Sequence, residues 1–399
     1  MASAGTGRRP RLVYVVTHPV TADLLLRGQL AFMRESGFDV TVIASPGPEL
    51  DRVREREGVR TLAVPMQREI DPKRDLVALG RVSRAIWDVR PDIVNAGTPK
   101  GGLLGMLAAR AARVPVRTYL LRGLRLETAQ GALRQVLGAT ERLASACAHD
   151  VACVSQSLRD QAVAGGWVPA SKAIVVGEGS SNGIEAARFR RTEGRRAEGE
   201  RRFEALGVAP SDPVVGFVGR LVADKGIADL LDAFELVRRE VPSAKLALVG
   251  GDFADDALAP ALAARVKHAP GVVTTGRIDD LAPVYARMDV LAFPSLREGF
   301  PNVPLEAACA EVPTAGYRST GVVDAVVDGR TGTLVPQRDA AGLAYALTRY
   351  LREPALARSH GAEARARAER SFDRRQVWAA WLEMYRARLA ARGLPQPRP

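Results

Sequence analysis

Short apolar, β-rich runs alternate with longer helical patterns along this chain, and the alternation occurs twice; no other feature restricts the fold as much. In the first half the runs fall at residues 11–17, 39–44, 61–65, 92–95, 116–121, 150–154 and 173–177. Strand–helix alternation of this kind predicts a parallel, doubly wound α/β sheet. The rhythm stops at residues 190–202, a charged, glycine-containing stretch that reads as an exposed connection and helix start between domains. It resumes at Val214 and runs through 245–250, 272–275, 290–294, 312–317 and 332–336, with strands apolar throughout, as helices on both faces require. The predicted organisation is a first domain over 1–189, a linker over 190–204, a second domain over 205–371 and a terminal segment over 372–399. Its helix, Phe372 to Ala390, carries Trp378 and Trp381 as packing anchors. Ligands bind such sheets outside the carboxyl ends of their strands, so two facing sheets would enclose a cleft.

Length supports the same division, because 399 residues exceed one ordinary core and fit two. No apolar run approaches the roughly 20 residues that span a bilayer. Arginine interrupts each candidate, including 103–114, and the N-terminus has no apolar stretch that could serve as a leader, so the expected location is the cytoplasm. The net charge of +12 raises nucleic acid and membranes as partners, but only 6 of the 57 basic residues are lysine, a broad preference for arginine. Aromatic residues make up 5% and do not interleave with the bases, which argues against nucleic acid. A loose peripheral attraction to anionic lipid head groups needs no motif and stays open. The three cysteines, Cys147, Cys153 and Cys309, are scattered in apolar sequence and read as reduced, buried thiols. No His/Cys cluster and no Asp-x-Asp pair has ligand spacing, so no metal and no other cofactor is expected.

Two segments carry the chemistry. In Phe293-Pro-Ser-Leu-Arg-Glu-Gly-Phe-Pro-Asn-Val-Pro-Leu-Glu306, a strand gives way to a Gly/Pro turn and a helix start. Glu298 is placed on the turn and Glu306 about two turns into the helix, both facing one pocket. A helix N-terminus favours an anionic ligand and a carboxylate can accept hydrogen bonds from a sugar diol, so the spacing suits a nucleotide sugar. About 70 residues earlier, Val214-Val-Gly-Phe-Val-Gly-Arg-Leu-Val-Ala-Asp-Lys225-Gly226 reads as an apolar strand and a glycine turn with two cations. There Arg220 offers a planar fork to a diphosphate and Lys225 a point charge.

On these residues the chain resembles the retaining glycosyltransferases of family 4, which have the GT-B fold and a Glu-x7-Glu motif. The matching residues are Gly219-Arg220, Lys225-Gly226, Gly276-Arg277 and the run from Glu298 to Glu306. The first half is similar to the subgroup that builds capsular and other surface polysaccharides, through Arg27-Gly-Gln-Leu30, Ser45-Pro-Gly-Pro-Glu49, Thr98-Pro-Lys-Gly-Gly-Leu-Leu-Gly105 and Ser180-Ser-Asn-Gly183. The resemblance implies that the last helix crosses back to the first domain. It also implies that Glu298 holds the donor-sugar hydroxyls, Glu306 the nucleotide ribose, and the Gly276-Arg277-Ile278 turn the nucleobase. The expected donor site comprises Gly219, Arg220, Lys225, Gly251, Arg277, Ile278, Glu298, Gly299, Phe300, Pro301, Asn302, Val303 and Glu306, with Glu298, Arg220 and Lys225 closest to catalysis. Gly251 would admit the donor close to the main chain, and the backbone N–H groups of the turn at Gly299 and Phe300 and of the helix after Pro301 would assist at the diphosphate.

On the acceptor side, family members often carry His-Gly where this chain has Arg122-Gly123. An arginine stays cationic and cannot serve as a general base at neutral pH, so Arg122 is expected to hold a phosphate or the acceptor. His18, in the first loop, and Lys100, before a glycine pair at a helix start, are the other candidates. The reading is transfer of a sugar from a nucleotide sugar, a UDP-sugar, to an acceptor hydroxyl with retention. The subgroup implies a polyprenyl-diphosphate-linked acceptor; a small-molecule acceptor is the rival. A sugar-nucleotide epimerase of the same fold is disfavoured by the glutamate pair, and a non-catalytic sugar-nucleotide binder by the intact motifs. A nicotinamide oxidoreductase is disfavoured because residues 16–22 contain no glycine.

Overall fold

The computed structural model describes residues 8–67, 71–251 and 258–398. The stretch read above for a leader therefore lies, through residue 7, outside the described residues. The chain forms two compact units, Met1–Gly183 with Arg374–Pro399, and Ile184–Asp373.

The first unit is built on seven parallel strands: β1 (Arg11–Val15), β2 (Asp39–Ala44), β3 (Arg60–Ala63), β4 (Ile93–Gly97), β5 (Val116–Leu121), β6 (Asp150–Cys153) and β7 (Ala173–Val175). Their order is β3-β2-β1-β4-β5-β6-β7. Every residue of β4 is buried, as expected of a central strand covered on both faces. On one face the helix Pro99–Ala111 sits so close that a Cβ on Gly105 would come within 2.7 Å of the Ala96 Cβ. On the other lies the terminal helix Arg374–Ala390, which buries Trp378, Trp381 and Tyr385. Asn95 of β4 donates to the Tyr385 hydroxyl at 2.6 Å, and the Trp378 indole donates to Asn182 at 2.6 Å. Arg388 grips Asp150 with two hydrogen bonds of 2.9 and 2.6 Å. Removing a buried ring of this kind costs about 3–5 kcal/mol, enough to hold the last helix on this sheet.

One carboxyl in this unit makes stability depend on pH. Glu141 is buried, accepts a hydrogen bond from the Tyr119 hydroxyl at 2.7 Å, and is pushed up to about 7 by burial. The folded state holds a proton there that the unfolded chain releases near its ordinary 4.5, so stability falls as pH rises through that window. The cost is about 3 kcal/mol above pH 7. Urea unfolding of Glu141→Gln should show a flatter dependence between pH 4.5 and 7 than the native chain; an unchanged slope would exclude this group as the source.

The second unit has six parallel strands: β8 (Val214–Val218), β9 (Lys245–Val249), β10 (Val272–Gly276), β11 (Val290–Phe293), β12 (Thr314–Tyr317) and β13 (Gly332–Val335). They are ordered β10-β9-β8-β11-β12-β13, with one apolar cluster around Met288, Leu291 and Phe293 and another around Phe217, Phe234 and Leu347. One expectation needs correcting here: β10 is half exposed rather than covered, because it is an edge strand and carries Thr274 and Thr275.

The residues expected to form an exposed linker, 190–204, are instead largely the helix Glu193–Glu204, part of the second unit, and the chain passes between units at Gly183 rather than after 189. The reason is packing that charge content conceals. Gly199 and Phe203 are buried, and a Cβ on Gly199 would lie 2.2 Å from the Pro283 carbonyl oxygen, so this helix rests on the short helix Ala282–Arg287. The return point is marked by the Ile184 N–H, which donates to the Phe372 carbonyl at 2.9 Å.

Both strand orders contain a switch point where consecutive connections leave in opposite directions: β1 beside β4, and β8 beside β11. Loops that follow such strands diverge and leave a crevice at the carboxyl edge of the sheet.

Candidate active site

Because β8 and β11 are neighbours, the turn after one faces the turn after the other although about 70 residues separate them. Gly219 directly follows β8 and donates its N–H to the Val249 carbonyl at 2.9 Å; Arg220 comes next, half-buried. A short turn Ala223–Lys225 leads to Gly226, whose φ of +71° and position 2.2 Å from the Pro294 oxygen, measured from a built Cβ, leave room only for glycine. This close approach brings the Lys225 turn against the end of β11.

There the Lys225 ammonium pairs with the Glu298 carboxylate, both side chains being largely buried. Glu298 also accepts from the Ser295 hydroxyl at 2.8 Å. The Ser295 carbonyl in turn accepts from the Ser319 hydroxyl at 2.7 Å, beyond the end of β12. Arg297 pairs with Asp224 at 3.0 Å, a second tie between the same two turns. A carboxylate held by an ammonium and a hydroxyl has its rotamer set before any ligand arrives.

Glu306 is the fifth residue of the helix Asn302–Cys309, just over one turn in rather than two, because the helix starts at Asn302 and not at the glycine turn. Its carboxylate accepts from the Tyr285 hydroxyl at 2.8 Å. Burial raises the Glu306 pKa, while the Tyr285 hydrogen bond and the Arg188 charge lower it. Each glutamate therefore has its own partners, Lys225 and Ser295 for one and Tyr285 for the other. In the turn between them, Pro301 occupies the N-cap position without a capping side chain, and Gly299 meets Gly321 so closely that a Cβ on Gly321 would lie 2.4 Å from the Gly299 oxygen.

Other expected donor residues divide by environment. Phe300 and Val303 pack on the core, Phe300 with its ring 5.0 Å from Phe372, and Ile278 packs there too, so these side chains support the loops. The Arg277 side chain is mostly exposed and lies 3.6 Å from Asp279. Its backbone is nonetheless near the candidate crevice: a Cβ on Gly251 would lie 4.0 Å from the Arg277 nitrogen, and the Gly250 N–H donates to the Gly276 carbonyl at 3.0 Å.

In the first unit the three acceptor-side candidates follow adjacent strands. Thr17 and Thr98 join their hydroxyls at 2.8 Å across the β1/β4 switch, and the Gly101 N–H donates to the Thr17 hydroxyl at 2.8 Å. His18 caps the short helix Pro19–Leu25, its Nδ1 accepting from the Val20 N–H at 3.3 Å. Lys100 pairs with Asp75 at 2.6 Å. Arg122, after β5, has a buried guanidinium without a hydrogen-bond partner among the described residues, next to Gly97, and burial lowers its pKa to about 10. It remains cationic at neutral pH, as read from its type.

Sequence reasoning passed over Ser295, Ser319 and Tyr285. Ser295 lies inside the motif run and could have been found from its place before Glu298; Tyr285 reads as a core residue on a short helix and gave no signal. Among the described residues no group of three or more His, Cys, Asp or Glu side chains could hold a metal ion, and no helix is long and apolar enough to cross a membrane.

Known proteins resemble this chain in sequence and fold. Residues 25–179 match the glycosyl transferase 4-like domain, and residues 212–353 match the family described as glycosyl transferases group 1. The capsular polysaccharide biosynthesis glycosyltransferase CapM of Staphylococcus aureus is 33% identical over 361 residues, which is 90% of this chain and 93% of CapM. The chain belongs to the group 1 glycosyltransferases. Its fold is that of solved structures: HepE of Anabaena in complex with UDP-glucose superposes with a TM-score of 0.78 at 20% identity, over 94% of this chain and 99% of that one. Sucrose-phosphate synthase of Thermosynechococcus elongatus does so with a TM-score of 0.78 at 20% identity, over 96% and 100%. This enzyme thus has the GT-B fold expected from its motifs, and its family places it among enzymes that transfer glycosyl groups.

Proposed function

We propose that this glycosyltransferase belongs to family 4 and moves a sugar from a UDP-sugar to the hydroxyl of a polyprenyl-diphosphate-linked sugar at the cytoplasmic face of the membrane, with retention and without a metal ion. The observation that carries the reading is the Lys225–Glu298 pair at the β8/β11 switch, since it joins the expected phosphate-binding turn to the expected sugar-binding turn. Support for the donor comes from the UDP and UDP-glucose complexes of the structural neighbour HepE, and for a surface-polysaccharide role from the similarity to CapM.

In this reading Lys225 and Arg220 neutralise the departing diphosphate, the positive charge a divalent cation would otherwise supply. Glu298, released from Lys225 as the phosphates arrive, accepts hydrogen bonds from the donor-sugar hydroxyls, and Glu306 accepts from the ribose. A retaining transfer in which the acceptor approaches the face the diphosphate leaves needs stabilised negative charge more than a strong base. No second carboxylate stands beside Glu298 in the motif, so no glycosyl-enzyme step is invoked.

The test is incubation of purified enzyme with a panel of nucleotide sugars and a polyprenyl-diphosphate-linked sugar, with and without EDTA, followed by NMR of the product. Nucleotide release that needs the lipid-linked acceptor, survives EDTA and gives an anomeric centre of donor configuration is expected. An inverted product, or turnover only with soluble glycosides, would reject the corresponding part of the proposal.

A further inference from the structure

Six of the twelve large apolar side chains that stand exposed among the described residues belong to two helices of the first unit, Pro72–Val89 and Gly131–Cys147. Leu76, at 71% exposed, Val77 and Trp87, at 62%, lie on the first; Leu133, at 49%, Val136 and Leu143 lie on the second. Both helices pack on the helix Pro99–Ala111 between them, so they form neighbouring ridges on one face of the seven-stranded sheet. Residues 131–136 are exposed at every position, so this helix start is uncovered on all sides.

The exposed charges on these ridges are nearly all of one sign. Lys73, Arg74, Arg81, Arg84, Arg134 and Arg142 are exposed, against one exposed acid, Asp88, which pairs with Arg84 at 3.0 Å. Asp75 is engaged by Lys100, and Glu141 is buried. The cations alternate with the apolar residues rather than ringing them. A protein partner would favour a contiguous apolar centre depleted of charge. A bilayer surface suits the alternation, since leucine, valine and tryptophan enter the acyl boundary while lysine and arginine meet phosphates in the same plane. Leu76 and Trp87 are separated by about 16 Å along the helix axis, so its outer face can lie flat on such a surface.

We infer that this two-helix face docks the enzyme on an anionic lipid bilayer. The inference deepens the acceptor reading above and rests on it, because a polyprenyl-linked substrate is presented only at a membrane.

Co-sedimentation of the full chain with vesicles of phosphatidylglycerol and phosphatidylcholine, or of phosphatidylcholine alone, tests it. Binding is expected to the anionic vesicles and to weaken with salt. The pairs Leu76→Asp with Trp87→Asp, and Leu133→Asp with Val136→Asp, should each lower partitioning about tenfold or more. Tyr345→Asp, at a side chain 70% exposed in the second unit, should leave it unchanged. Thermal stabilisation by UDP reports that every variant is folded. Equal binding by native and substituted chains, an equal loss in Tyr345→Asp, or no binding to anionic vesicles overturns the docking face. Loss of a dimer instead of vesicle binding would show a protein interface and overturn it as well. If the face binds vesicles as described but the enzyme does not glycosylate a polyprenyl-diphosphate-linked sugar, the acceptor reading fails and the docking face stands.

Discussion

Lys225→Ala should lower kcat about 100- to 1000-fold while the donor KM changes less than tenfold. Lys225 is one of two cations that tie the two turns of the second unit together, and its ammonium is already held against Glu298. Its removal has two effects of the same sign. On the proposed reading, the departing diphosphate loses a charge placed for it, which is worth most in the transition state. Glu298, largely buried, loses its counter-charge and keeps Ser295 among the described residues, so its carboxylate is less well placed for the sugar hydroxyls it is proposed to hold. Initial rates at saturating donor decide the matter. Lys245→Ala is the control, because Lys245 begins β9, at the opposite edge of the sheet from the candidate site, and lies 3.7 Å from Asp212. A Lys225→Ala enzyme with kcat within threefold of native would remove this turn from the catalytic site.

Glu306→Ala is expected to act on binding, raising the donor Kd about 10- to 100-fold with kcat at saturation little changed, since hydrogen bonds to a charged acceptor contribute about 1.5–3 kcal/mol. Tyr285 refines the prediction. Burial raises the Glu306 pKa and the Tyr285 hydrogen bond lowers it, so Tyr285→Phe should raise it further. The acid limb of donor affinity then moves to higher pH, a change that lost packing alone would not produce. Isothermal titration with the nucleotide between pH 5 and 8 measures it; an acid limb that stays in place would reduce Tyr285 to a core residue. Stability carries the opposite sign. A carboxyl whose folded pKa is raised destabilises the fold increasingly as pH climbs above its ordinary 4.5, so Glu306→Gln should melt higher than the native chain at pH 8 and converge with it near pH 4.

Much of this site was legible because its chemistry is compressed into two short runs. Among the described residues all thirteen strands fall within a few residues of the apolar runs read from the chain; a strand covered on both faces leaves an unbroken apolar record, and the half-exposed edge strand β10 departs from it only at Thr274 and Thr275. The turn cations and the glutamate pair were visible for the related reason that glycine and proline mark where strands end. What stayed hidden involved partners distant in sequence. Nothing around Tyr285 announces a bond to a carboxylate 21 residues away, and the charges of 193–204 conceal that Gly199 and Phe203 seat this helix on the second unit. The conformations of Lys100 and Arg122 could not be read either: one is engaged by Asp75, and the other keeps its guanidinium buried beside Gly97.

The order of residues by itself determined the strand–helix alternation, the duplication of the sheet and the residue types at each strand end, because these depend on local pattern and backbone preference. Only the tertiary structure decided which strand ends are neighbours. Placing β11 beside β8 is a matter of how crossovers pack, and it is that adjacency which sets Lys225 against Glu298 and turns two separate motifs into one candidate site.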